Sequence, residues 1–178
     1  QIMLANFFSK SKPVNFILIM LLFGIYYGLD IFVYRSLEFG FEILLSIPLY
    51  FMVFFLYNFI ITKNRLTKDD SYAFLLFVVG LGCLPRLDIA ASVLIEYILL
   101  LLFLRKLYSI KTRKLVYEKL FDSALCLGVL FLISPEYVLY FLLLLLALLL
   151  FVEITFRTIL IPIVGFLVPL FLFFTYHF

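Results

Sequence analysis

Long apolar runs, broken at intervals by short polar clusters, set the pattern of this chain. Seven runs can be separated, at 14–34, 42–62, 71–84, 89–107, 120–134, 137–155 and 158–178. A membrane span needs about 20 residues at 1.5 Å rise. The third and fifth runs fall short of that and are expected to need flanking residues, a thinned bilayer or neighbouring helices. Hydrocarbon offers no hydrogen-bond partners, so each run predicts a helix. The stretch FLLLLLALLLF fits that reading, and the period-two alternation of a membrane β-strand is absent. The expected fold is all-α: one polytopic bundle of about seven transmembrane helices over residues 1–178.

The polar breaks carry a second pattern. Lys10 and Lys12 precede the first run, and Lys63, Arg65 and Lys68 follow the second. Arg105, Lys106, Lys111, Arg113, Lys114 and Lys119 follow the fourth, and Arg157 follows the sixth. The alternate connections hold only Arg35 and Arg86. Positive residues collect on the cytoplasmic side, so the N-terminus is expected inside and the C-terminus outside.

Composition strengthens the membrane reading. The 178 residues are 67% hydrophobic and 14% charged, with mean hydropathy +1.25. A soluble domain is about half apolar and a quarter charged. The first run is too long for a signal segment and lacks a small-residue cleavage site, so it reads as a retained span. The chain closes on FLFFTYHF with no polar tail, so we expect the natural chain to continue. Cys83 and Cys126 lie inside apolar runs and read as packing residues.

Candidate chemistry sits at a few charged positions. Pro85 can stop one helix and Asp88 can cap the next, so Arg86 and Asp88 read first as turn residues. Asp88, Ser92 and Glu96 are spaced to share one helix face. An acid inside a span costs about 2.5–3.5 kcal/mol, so Glu96 must face protein or water. Two readings stand open: an outward polar cleft of Arg86, Asp88, Ser92 and Glu96, or an acid that ties helices together. Asp30 lies near the outer end of the first run, where an interfacial acid is easily solvated. Asp30, Asp88 and Glu96 are the candidate catalytic carboxylates.

Gly24 and Gly28 form a GxxxG pair, which favours close helix packing. Pro48, Pro162 and Pro169 should bend their helices. Asp122 and Glu153 each have a nearby cation, Lys119 and Arg157, for ordinary pairing. The segment RKLYSIKTRKLVYEKL suggests a short helix on the inner leaflet, its Leu107, Ile110, Leu115 and Val116 inward to lipid. Arg105, Lys106, Lys111, Arg113 and Lys114 would meet headgroups, each worth about 1 kcal/mol near anionic lipid. A lone His177 makes no metal site. No nucleotide loop, zinc motif or nucleophile elbow occurs, and no cofactor, metal or nucleic acid is expected.

Four segments, FFSKSKPVNFILI, LLLFLRKLYSI, KLFDSALCLGVLFLISPE and RTILIPIVGFLVP, resemble a family of uncharacterised polytopic inner-membrane proteins of Bacteroidota. The resemblance implies a bacterial inner-membrane location and carries over no catalytic residue. The pattern at 121–150 is also loosely similar to GT-C membrane glycosyltransferases. Two functions are therefore expected in turn. The first is a non-enzymatic subunit or scaffold of a cell-envelope complex for secretion, motility or surface-polymer export, whose partners are lipid and other membrane subunits. The alternative is a divergent GT-C-like enzyme or carrier acting on a polyprenyl-linked substrate at the periplasmic face. A third and weaker expectation is a solute transporter built on the Glu96 cleft.

Overall fold

The computed structural model describes residues 8, 12–34, 41–67, 71–83 and 90–177. Seven α-helices follow in order: α1 (Pro13–Tyr34), α2 (Phe41–Asn64), α3 (Tyr72–Cys83), α4 (Ala91–Ser109), α5 (Val116–Ile133), α6 (Phe141–Phe151) and α7 (Phe156–His177). No strand occurs among the described residues. Within α2 and α7, Leu44–Asn64 and Phe156–His177 are long and apolar enough to cross a membrane. The chain divides into two compact units, Gln1–Leu94 and Ile95–Phe178.

The first unit is a helical hairpin lined with rings. Asn15, Ile19, Phe23 and Tyr27 are buried at every fourth position of α1. That spacing keeps them on one face. They meet Ser46, Tyr50 and Phe54 of α2, buried in matching order. Tyr27 pairs with Ser46 through their hydroxyls at 2.7 Å, and Tyr50 donates to the Phe23 carbonyl at 3.0 Å. Phe16 meets Phe54 further along, so α1 and α2 run antiparallel. The Phe23 and Tyr50 rings stack at 3.9 Å. On α3, Phe77 stacks on Tyr57 at 4.0 Å and Phe74 meets Phe16 and Phe54. Tyrosine suits this core because the ring packs while the hydroxyl finds an acceptor. The opposite face of α1 is apolar too: Ile17, Leu21, Ile25 and Phe32 are exposed.

The second unit is built around a close pair of parallel helices. The buried positions of α5 are Leu120, Ser123, Ala124, Leu127, Gly128 and Leu130. Those of α7 are Thr158, Pro162, Gly165 and Pro169, at alternating steps of four and three. The two faces meet backbone to backbone. A β-carbon built on Gly128 would stand 2.5 Å from the Phe166 carbonyl oxygen, and one on Gly165 would stand 2.8 Å from that of Phe121. Real β-carbons do not approach so closely, so glycine is required at both positions. Glycine usually costs a helix about 1 kcal/mol against alanine, and the close approach offsets that. Phe121 precedes Gly128 as Gly165 precedes Pro169, which fixes the parallel direction. The chain returns between them through α6. Leu144, Ala147 and Leu148 of α6 complete a core with Phe103, Leu107, Ile110, Leu120, Ala124 and Leu127.

Several expectations change here. The GxxxG of α1 makes no close seam within this chain among the described residues, for nothing lies within 4 Å of a β-carbon built on Gly24 or Gly28. The fifth run is not short, because α5 starts at Val116 and gains a turn from residues read as loop. The sixth run is not one helix. Ser134 is extended (φ −140°), Pro135–Tyr140 form a 3-10 turn, and only Phe141–Phe151 are α-helical. The surface helix of RKLYSIKTRKLVYEKL does not form. Its residues divide among the end of α4, a 3-10 turn at Ile110–Thr112 and the start of α5. Arg113 (φ 54°) and Leu115 (φ 51°) are left-handed, and two such residues reverse the chain instead of extending a helix. Ile110 is wholly buried and Leu107 nearly so, whereas Leu115 points outward.

Substituting Gly128 or Gly165 with valine should destabilise the protein by about 2 kcal/mol or more, since the nearest atom in the way is a backbone carbonyl oxygen in each case. Gly24→Ala should be neutral or stabilising by up to about 1 kcal/mol. Denaturant titration in mixed micelles measures both. Equal effects at the two pairs would refute the assigned seam.

Candidate functional site

Glu96 lies in the second turn of α4 and is half-buried. Its carboxylate faces the connection between α5 and α6. Tyr137 donates its phenol to Glu96 Oε2 at 3.1 Å, and Ser134 Oγ lies 3.4 Å from the same oxygen. The local sequence explains both donors. Pro135 ends α5 by removing a backbone donor and restricting the residue before it. Ser134 becomes the extended cap, its N–H closing on the Leu130 carbonyl at 2.9 Å. Its hydroxyl makes no cap and turns to Glu96 instead. The following 3-10 turn brings Tyr137 round to the same oxygen. The Tyr137 ring lies 5.8 Å from that of Tyr140, which in turn meets the core ring of Phe103 at 6.4 Å.

Glu96 therefore stands level with a connection and not at mid-helix depth. What the arrangement does chemically is join the first half of α4 to the turn after α5. Ser92 shares the helix but is exposed. Arg86 and Asp88 lie outside the described residues, so the four-residue cleft is not assembled among those described. Asp30 belongs to α1 near its end, and its side chain is likewise outside the description. No cluster of three or more metal-ligand side chains occurs among the described residues.

The basic connection has its own polar order. Lys106 pairs with Asp122, across from α4 to α5. Lys119 donates to the Ser109 carbonyl and to Thr112 Oγ1, both at 2.7 Å. It thereby caps the end of α4, where carbonyls lack helical donors and a cation is favoured. Arg157, expected beside Glu153, lies over the Tyr117 ring at 4.8 Å. Lys111, Arg113 and Lys114 are exposed. Arg105 and Lys106 are half-buried on the last turns of α4. Cys126 is a free thiol, part-buried against the core.

Ser134 and Tyr137 were not singled out from the sequence. Their signal was the tetrapeptide SPEY after an apolar run, which places two hydroxyls beside a helix-stopping proline. No protein-family model, no curated protein and no solved structure matches this chain.

Tyr137→Phe should cost about 0.5–1.5 kcal/mol, the ordinary net worth of one hydrogen bond. Combined with Glu96→Ala, which removes the acceptor, in a double-mutant cycle, the two losses should be less than additive, because both remove one shared contact. Strict additivity in micelle denaturation would show that the contact contributes nothing.

Proposed function

We propose that this chain is a multi-pass protein of a bacterial inner membrane, with its N-terminus cytoplasmic and its C-terminus periplasmic. In this reading it serves as a non-enzymatic subunit or scaffold of a cell-envelope complex. The observation that carries the proposal is the character of the exposed surface. Leu142, Leu149 and Leu150 of α6 are 63–64% exposed, and Phe171 of α7 is 70% exposed. Phe156 reaches 83%. Contiguous apolar surface on this scale is disfavoured in water and is what lipid or an apposed helix covers. The uneven distribution of lysine and arginine supports the stated orientation.

The tie between Glu96, Ser134 and Tyr137 favours a structural use of that acid over a catalytic one. One of its two oxygens accepts from the fold's own hydroxyls. Apolar helix flanks are then the surfaces left for partners. The last turns of α7 support this use best, since residues 171–177 are all exposed. The resemblance to the Bacteroidota inner-membrane family agrees with the location.

Two measurements test the proposal. With Cys83 and Cys126 replaced by alanine, single cysteines at Lys111 and Glu136 should label from opposite sides of the membrane, Lys111 from the cytoplasm. Labelling of both from one side would overturn the topology. Gentle detergent extraction and mass spectrometry should recover stoichiometric membrane partners, and a Phe171→Ser/Phe174→Ser variant should lose them. A chain that extracts alone, yet turns over polyprenyl-linked sugar and loses that turnover in Glu96→Gln, would favour the enzyme reading.

A further inference from the structure

A cleft of about 520 Å³ opens where the start of α5, the end of α6 and the start of α7 come together. Val116, Leu150, Phe151 and Tyr117 supply its apolar lining. Its lining holds one guanidinium, Arg113, and one carboxylate, Glu153. Both charges stand on backbone that is already pinned. The Arg113 N–H closes the left-handed turn on the Ile110 carbonyl at 2.9 Å. The Glu153 carbonyl accepts from Thr158 Oγ1 at 3.1 Å. Thr158 also forms a reciprocal cap with Thr155: the Thr155 N–H donates to Thr158 Oγ1 at 2.8 Å and the Thr158 N–H to Thr155 Oγ1 at 3.3 Å. This is the capping-box arrangement with threonine in the place of glutamate. Neither Arg113 nor Glu153 is in an ion pair among the described residues. Each has its backbone held by a turn, and both residues are exposed at the cleft.

We propose that this cleft binds the headgroup of a zwitterionic aminophospholipid, Arg113 holding the phosphate and Glu153 the primary ammonium. The proposal rests on the membrane reading above and adds a ligand to it. Three features select this occupant. The paired opposite charges match a zwitterion and not a simple anion. Guanidinium is suited to phosphate through parallel N–H donors, and a carboxylate accepts from ammonium. The apolar lining continues onto exposed Leu149 and Leu150, a path for acyl chain that a soluble zwitterion would not use. The cleft also lies at the basic end of the unit, where cations and a tyrosine belong at headgroup level. Pinned backbones reduce the ordering that binding must impose.

The test uses the full chain in micelles, with phosphatidylethanolamine, phosphatidylcholine and phosphatidylglycerol of identical acyl chains, read by native mass spectrometry. Wild type should retain phosphatidylethanolamine over phosphatidylcholine, whose methylated nitrogen has no N–H to donate. Arg113→Gln should weaken phosphatidylethanolamine and phosphatidylglycerol alike, by about tenfold, through loss of a charge-assisted contact. Glu153→Gln should weaken phosphatidylethanolamine by about tenfold and leave phosphatidylglycerol unchanged or tighter. Unchanged thermal unfolding without added lipid shows that both variants are folded. Equal retention of all three lipids, or indifference to both substitutions, overturns the proposal. So does displacement by free phosphoethanolamine at the concentration at which the lipid acts. Liposome flotation separates the two levels. A chain that does not float refutes the membrane reading itself, whereas one that floats without lipid preference refutes only the cleft assignment.

Discussion

The approach of α5 and α7 through Gly128 and Gly165 is the constraint on which the second unit depends. Helices that are apolar on every side gain little selectivity from burial alone, because any face buries as well as another. Small residues break that degeneracy by letting two backbones come closer than any other pair of faces allows. Once Gly128 faces the Phe166 carbonyl, Ala124 and Pro169 must lie beside it. The intervening α6 must then return antiparallel, and its Leu144, Ala147 and Leu148 close the core. The prolines join this seam. Pro169 lacks the N–H that would pair with the Gly165 carbonyl, so helix regularity is weakest where the neighbouring backbone is nearest.

Polar side chains then act at the two ends of the same unit. Ser134 and Tyr137 draw the turn after α5 onto Glu96. At the other end Lys119 and Lys106 hold the reversal between α4 and α5, one on backbone carbonyl and hydroxyl oxygens, the other on Asp122. The Lys106 pair is partly exposed and contributes modestly on its own. Its effect is to link the last turns of α4 to the start of α5. The same reversal places Arg113 at the rim of the cleft, so a device that ends a helix also presents a cation.

The first unit solves its packing differently. Rings fill the space between α1, α2 and α3, and the hydroxyls of Tyr27, Tyr50 and Tyr57 each have an acceptor or a hydroxyl neighbour. Phe and Tyr bury large areas with few rotatable bonds, which suits helices that offer few small residues to one another. The abundance of aromatic residues, 20% of the chain, has its use here.

The order and approximate limits of the helices were legible in the sequence, because apolar runs end at proline and charge clusters for local reasons. The all-helical class followed from the same pattern. Which face of each helix packs was not legible. Gly24 and Gly28 carry the recognised spacing and pack against no described atom, whereas Gly128 and Gly165 lie far apart in sequence and meet through their partners' carbonyls. The partners of Glu96 lie 38 and 41 residues away, beyond any local rule. The basic segment misled for the opposite reason. Its apolar spacing suits a surface helix, but left-handed Arg113 and Leu115 turn it back, and Ile110 is taken into the core. Local residue types decide where helices start and stop, since those costs fall on neighbouring backbone groups. Contacts between distant residues decide which glycine, acid or cation has a use, because that use exists only after the chain has brought its partner alongside.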